Sequence, residues 1–178
     1  TARVKLYMAT DAPDAIRALQ RWIKLVGDPR AAVEPLLAIT AQRLVRRLCP
    51  QCRQAYQPDP EILKKANIPP QGVQQFFRPA GYVLNKKGEQ IVCDVCQGTG
   101  YFGRTSIFEI MPITAPIRQL IAEGTPLAQV KAARRKTKPP MLYLQEQGIR
   151  RVIEGVTSMN EVIRVTREEA APAAPKAS

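Results

Sequence analysis

The chain has 178 residues, enough for one medium domain or for one domain with a small module. Its 27 lysines and arginines against 15 aspartates and glutamates give a formal net charge of +12, and the 45% of apolar residues excludes a wholly disordered chain. The sequence contains no histidine, which excludes a Ser-His-Asp triad, a Cys-His dyad and an H-E-x-x-H zinc protease.

Three further patterns are missing from the sequence. No stretch matches G-x-x-x-x-G-K-[ST], so the chain has no phosphate-cradling P-loop of its own. No apolar run approaches the roughly 18 residues of a membrane-spanning helix, and no charged-then-apolar leader is present. Because a predicted strand begins almost at Thr1, we expect the chain to be part of a longer protein.

The amino-terminal residues predict a strand end followed by a helix. Residues 4–7 are β-prone. Asp11 is expected to cap the helix, with Pro13 in the first turn and apolar residues at three- to four-residue spacing behind it. Within that stripe, Trp22 is predicted to anchor a core or an interface. Gly27, before an Asp-Pro pair, predicts the end of the helix.

The next stretch contains an obstacle to helix formation. A second helix is predicted from Arg30 to about Thr40, where Pro35 must lie in the first turn or kink the helix. From their pattern alone, residues 42–48 fit a helix or a strand equally well.

All four cysteines lie in two C-x-x-C pairs, Cys49 with Cys52 and Cys93 with Cys96. Two residues between thiols allow one tight turn to present both sulfurs to a metal, and two such turns complete a tetrahedron. This donor set predicts a structural zinc site without an open coordination position, so we expect no catalysis by the metal. The ion would fold a segment that is too small for a core of its own.

Other interpretations of this region remain open. Two disulfides would need an oxidising compartment, and a C-x-x-C redox centre would not need a second pair. Residues 98–103 match the letters G-x-G-x-x-G, but a dinucleotide site needs a strand before that motif and a helix after it. Because a strand-like run over residues 105–110 follows, the glycines predict positive-φ turns that return the chain from the metal.

The remaining elements are predicted to be short. Between the cysteine pairs, a helix is expected over residues 58–67 and a hairpin turn over 85–88, and a strand follows over 105–111. Helices are then predicted from Thr114 to Gly124, from Pro126 to Val130, from Met141 to Glu154 with an interruption at Gly148, and after a capping box formed by Ser158 and Glu161.

Three long strings stand out: TAQRLVRRLCPQC at residues 40–52, CDVCQGTGYFGRTSIFEI at 93–110 and QGIRRVIEGVTSMNEVIRVT at 147–166. In order and with natural spacing, they resemble the segments AQRLVRRLCPxC, CxxCxxTGYxGRxxIxE and DGLRKVxxGxTTxEEVxRVT of the ATPases of type II secretion and type IV pilus assembly. The resemblance also favours a core strand for residues 42–48.

This resemblance implies a fold and a function. In such proteins a RecA-like α/β ATPase core of the P-loop class is interrupted by a tetracysteine zinc module and followed by a helical bundle. Six subunits form a cytoplasmic ring, peripheral to the bacterial inner membrane. Hydrolysis of ATP with Mg²⁺ between subunits displaces an inner-membrane platform protein, which assembles pilin or pseudopilin subunits. The P-loop, the Walker B acid and the Asp box would precede Thr1.

The resemblance also implies a division of the chain. It assigns 1–48 to the carboxyl-terminal edge of the ATPase core, 49–103 to the zinc-binding insertion, 104–167 to a return strand and helical subdomain, and 168–178 to a disordered tail. One position departs from the family pattern, because Met8 stands where those ATPases usually carry a histidine that senses the γ-phosphate. Methionine donates no hydrogen bond, so either another residue does that work or the motor is weak or inactive.

The basic residues leave two other functions open. A zinc-ribbon module could use the charge of +12 to bind nucleic acid or an acidic membrane surface, and a degenerate ring subunit could bind partners without hydrolysis. Aromatic residues are only 6% of the chain and the basic residues are mostly spread along it, which favours solvated faces and subunit interfaces over specific nucleic-acid binding. The candidate interface residues are Arg43, Arg46, Arg47 and Trp22.

Overall fold

The computed structural model describes residues 5–65, 68, 75–136 and 142–167. Predictions that concern Val4, residues 66–67, Met141 and the tail at 168–178 lie outside these residues. The described residues combine helices and strands, as expected for an α/β protein. The chain divides into two compact units, of which unit 1 comprises residues 1–42 with 108–142 and unit 2 comprises residues 43–107 with 143–178. The division into a RecA-like edge, an insertion and a helical subdomain stays a prediction.

The described elements are, in chain order, α1 (Ala15–Val26), α2 (Pro29–Val33), β1 (Ala38–Leu48), β2 (Gln54–Tyr56), α3 (Pro60–Lys65), β3 (Phe76–Arg78), β4 (Tyr82–Leu84), β5 (Gln90–Val92), β6 (Tyr101–Pro112), α4 (Ala115–Ala122), α5 (Leu127–Arg135), α6 (Leu144–Ile153) and α7 (Met159–Thr166). Within the described ranges the strands form three two-stranded sheets, β1 with β6, β2 with β3 and β4 with β5, and the last two pairs are antiparallel. The strand favoured for residues 42–48 is confirmed.

Helix α1 begins one turn later than the sequence predicts. Asp14, not Asp11, is its N-cap: the backbone of Asp14 is extended, and its carboxylate accepts a hydrogen bond of 2.8 Å from the N–H of Arg17. The side chain of an N-cap residue accepts hydrogen bonds only from N–H groups of the first helical turn. Because the cap is Asp14, the first residue of the helix is Ala15. Gly27 ends the helix in the left-handed conformation with φ of 85°, as predicted.

Helix α2 ends at Val33, so the prediction of a helix to about Thr40 was wrong. Pro35 has no N–H to donate to the carbonyl of Ala31, and the helix therefore cannot continue through it. The chain becomes extended instead, and β1 begins at Ala38.

The strand predicted at residues 5–7 is also absent. The side chains of Leu6 and Tyr7 are 87% and 90% exposed, and neither residue pairs with any of the described strands. A β-prone sequence needs a neighbouring strand to satisfy its backbone groups, and the described part of unit 1 provides none here. The buried residues of unit 1 include Leu19, Ala32, Val33, Met111, Ile117, Ile121 and Val130.

The core of unit 2 centres on Phe76, which is completely buried and packs with residues of α6 and α7. The predicted interruption of α6 at Gly148 was wrong: the helix is continuous from Leu144 to Ile153. A Cβ atom added at Gly148 would lie 2.5 Å from the Cγ1 atom of Val162, so glycine is needed for the close packing of the two helices. The turn predicted at residues 85–88 is confirmed.

Candidate metal centre

The four cysteine sulfurs meet in unit 2, and all of them lie within 4.8 Å of one another. The Sγ atoms of Cys49 and Cys93 are 3.8 Å apart, and those of Cys52 and Cys96 are 3.6 Å apart. A disulfide would bring two sulfurs to about 2.05 Å, whereas a tetrahedral site with metal–sulfur bonds of about 2.3 Å separates them by about 3.8 Å. The cysteines are free, and their spacing fits a tetrahedral metal site.

Each cysteine pair closes a tight turn of the backbone. The N–H of Arg53 donates to the carbonyl of Cys49 at 3.1 Å, and the N–H of Gln97 donates to the carbonyl of Cys93 at 2.9 Å. These two turns point both sulfurs of each pair inward, as the C-x-x-C spacing predicts. The chain enters and leaves the module at adjacent positions, since the N–H of Cys49 donates to the carbonyl of Gly100 at 3.0 Å.

The first two glycines after the second pair are turn residues. Gly98 and Gly100 have φ values of 81° and 73° in the turns before strand β6, and Gly103, with a φ of 73°, lies within β6. The predicted positive φ values are confirmed at all three glycines and the predicted turns at Gly98 and Gly100. Because a strand and not a helix follows these turns, the G-x-G-x-x-G motif lacks the context of a dinucleotide site. The N–H of Gly100 also donates to the sulfur of Cys96 at 3.2 Å, so this turn directly supports one of the four clustered sulfurs.

A fourth glycine of the centre was missed by the sequence analysis. Gly81 has a φ of 82°, and its carbonyl accepts a hydrogen bond of 3.0 Å from the N–H of Cys93. A Cβ atom at Gly81 would lie 2.3 Å from the carbonyl oxygen of Gly98, so no other residue fits without a backbone shift. The isolated glycine after Pro-Ala was the only signal in the sequence, and it gave no indication of the contact.

Cys52 and Cys96 differ in how readily their thiols ionise. Burial raises the pKa of Cys52 to about 12. Burial also acts to raise the pKa of Cys96, but the N–H of Gly100 and the three neighbouring thiols outweigh it and lower the pKa to about 7. Metal binding requires thiolates, so a metal ion bound by these sulfurs would displace their protons.

Arg46 has a partner within unit 2. Its guanidinium lies 2.7 Å from the carboxylate of Glu161 and 4.1 Å from the centre of the Tyr101 ring. Burial acts to raise the pKa of Glu161, but the hydrogen bonds from Arg164 and Arg46 outweigh it and lower the pKa to about 2. Ser158 accepts from the N–H of Glu161 as its cap role predicts, but the Glu161 carboxylate binds the arginines instead of closing a capping box.

The other candidate interface residues lie elsewhere. In unit 2, Arg43 is half-buried and Arg47 is exposed. In unit 1, Trp22 is half-buried, and its indole N–H donates to the carbonyl of Ala32 at 2.8 Å. Trp22 also lines an open groove of about 450 Å³ in unit 1, together with Met8, which is 60% exposed. An interface role for Arg43, Arg46, Arg47 and Trp22 stays a prediction.

Comparison with known proteins identifies the family. Residues 7–164 match the family model described as "Type II/IV secretion system protein". The chain belongs to this family. Among the described helices of this secretion-family chain, none has the length and apolar character needed to cross a bilayer.

Three relatives show how much of a family member the chain represents. It is 32% identical to the type IV pilus assembly ATPase PilB of Thermus thermophilus over 158 residues, which is 87% of this chain and 16% of that protein. It is 32% identical to the type II secretion system protein E of Pseudomonas aeruginosa over 155 residues, 87% of this chain and 28% of that protein. The identity to protein E of Aeromonas hydrophila is 36% over 158 residues, again 87% and 28%. The chain thus spans less than a third of the relatives' length, and the resemblance stated from its sequence is confirmed.

Proposed function

We propose that this chain is the carboxyl-terminal portion of an ATPase that powers type II secretion or type IV pilus assembly. The observation that carries the proposal is the match of residues 7–164 to the family model, together with relatives that are named as such ATPases or as secretion protein E. In this proposal residues 1–48 form the edge of a RecA-like core. The whole protein is a homo-hexamer at the cytoplasmic face of the inner membrane and acts on a platform protein.

The four cysteines hold one zinc ion in this proposal. Support comes from the tetrahedral spacing of the sulfurs, their burial, and the N–H of Gly100 directed at one of them. A set of four sulfur ligands leaves no position for water or substrate, so the ion has a structural role. It joins the turn at Cys49 and Cys52 to the turn at Cys93 and Cys96, with apparent binding on the order of 10 kcal/mol.

Nucleotide chemistry belongs to residues outside this chain in the proposal. The sequence has no P-loop, so ATP and Mg²⁺ are bound by residues that precede Thr1. Met8 replaces the histidine that the family usually places near the γ-phosphate, and it supplies no donor there. The chain itself contributes a metal-held module and the helices that pack beside it.

The experiment is to read the coding sequence upstream of Thr1 and to assay Mg²⁺-dependent ATP hydrolysis by the full-length protein. We expect a P-loop upstream, ATP turnover, and about one zinc per chain by mass spectrometry. Absence of the P-loop would refute the motor and favour a ring subunit without hydrolysis. A protein that is folded yet free of zinc when purified and after incubation with zinc would refute the metal assignment alone.

The role of the cysteines is tested by Cys49→Ser in the same full-length protein. Val95→Ala is the matched control, since Val95 lies inside the second C-x-x-C turn, is 39% exposed and offers no metal ligand. We expect Cys49→Ser to remove zinc and to expose the module to protease, and Val95→Ala to change neither. Retention of zinc by Cys49→Ser at the wild-type level would contradict the assignment.

A further inference from the structure

We propose that the carboxyl-terminal helices α6 and α7 are part of the metal centre's support, and that their contacts with the module set its affinity for zinc. The inference rests on the proposed zinc site. It concerns residues that are distant from the cysteines in sequence and that provide no ligand. The evidence is a series of contacts, all within unit 2, between residues 155–161 and the segments that flank the cysteine pairs.

The turn between α6 and α7 contacts both sides of the first cysteine pair. The N–H of Leu48, directly before Cys49, donates to the carbonyl of Val156 at 2.8 Å. The guanidinium of Arg53, directly after Cys52, donates to the carbonyl of Gly155 at 2.7 Å. The turn therefore binds the residues on either side of the Cys49–Cys52 turn and restrains its two ends.

The same turn also contacts the segment that follows the second pair. The hydroxyl of Tyr101 lies 2.8 Å from the hydroxyl of Ser158, so one of them donates to the other. Tyr101 directly follows Gly100, whose N–H donates to the sulfur of Cys96. A shift of the turn would therefore be transmitted to a sulfur ligand through two adjacent residues.

Glu161 holds the start of α7 against strand β1. Its carboxylate accepts hydrogen bonds from the N–H of Arg46 at 3.0 Å, from the guanidinium of Arg46 at 2.7 and 3.0 Å, and from that of Arg164 at 2.8 and 2.9 Å. The carboxylate is fully buried, while the side chains of Arg46 and Arg164 are 44% and 60% exposed. The hydroxyl of Thr157 donates to the carbonyl of Arg46 at 2.7 Å, so the first turn of α7 and β1 are joined at several points.

These contacts imply a reciprocal linkage. If the metal-bound geometry of the cysteine turns favours docking of the helices, then loss of docking must weaken metal binding by the same factor. Residues that only orient metal ligands typically change metal affinity by about 10- to 100-fold when they are replaced. Because Glu161 acts through β1 and is not hydrogen-bonded to a ligand, we expect the lower end of this range.

The experiment compares the zinc affinity of the full chain with that of Glu161→Gln, measured by competition with a chromophoric chelator at pH 7.5. Glu109→Gln is the matched control, because Glu109 is also a buried carboxylate paired with an arginine, Arg134 at 3.0 Å, but belongs to unit 1. We expect Glu161→Gln to weaken zinc binding about tenfold and Glu109→Gln to change it less than about twofold.

A milder variant keeps the test valid if Glu161→Gln fails to fold. Tyr101→Phe removes only the hydroxyl that meets Ser158, and we expect it to weaken zinc binding about fivefold, since a single hydrogen bond contributes about 1 kcal/mol. Hydrogen exchange of the same chain gives an independent readout: removal of zinc should raise exchange in α6 and α7 and leave α4 unchanged.

The possible results separate the two proposals. Equal zinc affinities for wild type, Glu161→Gln and Tyr101→Phe would refute the linkage while leaving the zinc site intact. Equal weakening by Glu161→Gln and Glu109→Gln would refute it as well, since the effect would then be general instability. Failure of the folded wild-type chain to bind zinc at all would refute the metal assignment itself.

Discussion

Replacement of Gly100 by alanine tests the packing of the metal module most sharply, because the chain provides a matched control. Gly100 and Gly103 share a φ of 73°, which alanine rarely adopts, so alanine at either position incurs backbone strain of about 1 kcal/mol. The two sites differ in space: a Cβ at Gly100 would lie 2.5 Å from the Cβ of Pro79, whereas a Cβ at Gly103 meets nothing within 4 Å.

The expected magnitudes follow from this difference. Overpacking of a tight site costs about 1–3 kcal/mol, so Gly100→Ala should lower the free energy of unfolding by about 2–4 kcal/mol and Gly103→Ala by about 1 kcal/mol. Gly100→Ala should also weaken zinc binding, since the N–H that supports Cys96 must move. Urea denaturation of the zinc-loaded chain measures the first effect and chelator competition the second. Equal destabilisation by the two variants would refute the reasoning.

The remaining predictions concern the ligands, the buried carboxylate and the helix pair. Cys96→Ser should lower the zinc content from about one ion per chain to near zero in mass spectrometry, because three sulfurs leave the tetrahedron incomplete. The pKa of Glu161 is lowered to about 2, below its ordinary value of 4.5, so its contribution is complete above about pH 5 and is lost as the pH falls towards 2. In urea unfolding, wild type should accordingly be more stable than Glu161→Gln by a constant amount above pH 5, and this difference should shrink in acid. We expect a difference of about 1–3 kcal/mol, because solvent screens the partly exposed arginines. A difference in stability that does not depend on pH would contradict this. Gly148→Ala should destabilise the chain despite the better helix propensity of alanine, and adding Val162→Ala should recover at least about 0.5 kcal/mol relative to the sum of the single effects. Strict additivity of the two substitutions would show that the 2.5 Å contact is relieved at no cost.

Features that depend on the local sequence were predictable. The C-x-x-C spacing fixes two turns through backbone hydrogen bonds within five residues, and the positive φ values of Gly98 and Gly100 follow from the need to reverse the chain beside the cysteine cluster. The end of α1 at Gly27 was also predicted correctly, because glycine readily adopts the left-handed conformation that ends a helix. Each of these features is determined by groups that are close together in the chain, so the sequence alone contains the required information.

Features that depend on distant partners were not predictable. Ser158 and Glu161 have the letters of a capping box, yet the Glu161 carboxylate binds Arg46, 115 positions away, because a charge-assisted pair outweighs a bond to a backbone N–H. Glycine normally weakens a helix, so Gly148 was predicted to interrupt α6. It is glycine because Val162 of α7 packs too closely for a Cβ atom at this position. Gly81 accepts a hydrogen bond from the N–H of Cys93 and must be glycine because it lies close to Gly98, and no local pattern indicates either contact.

The closure of the module at its base has a consequence for how such a segment can be exchanged between proteins. The N–H of Cys49 and the carbonyl of Gly100 face each other across 3.0 Å, so residues 50–99 form an excursion whose two ends are separated by a single hydrogen bond. A short reverse turn in place of the excursion would keep the spacing of strands β1 and β6, but it would remove Phe76 and uncover the faces of α6 and α7 that pack against it. A lobe grafted at this point must therefore bring its own apolar cover for α6 and α7.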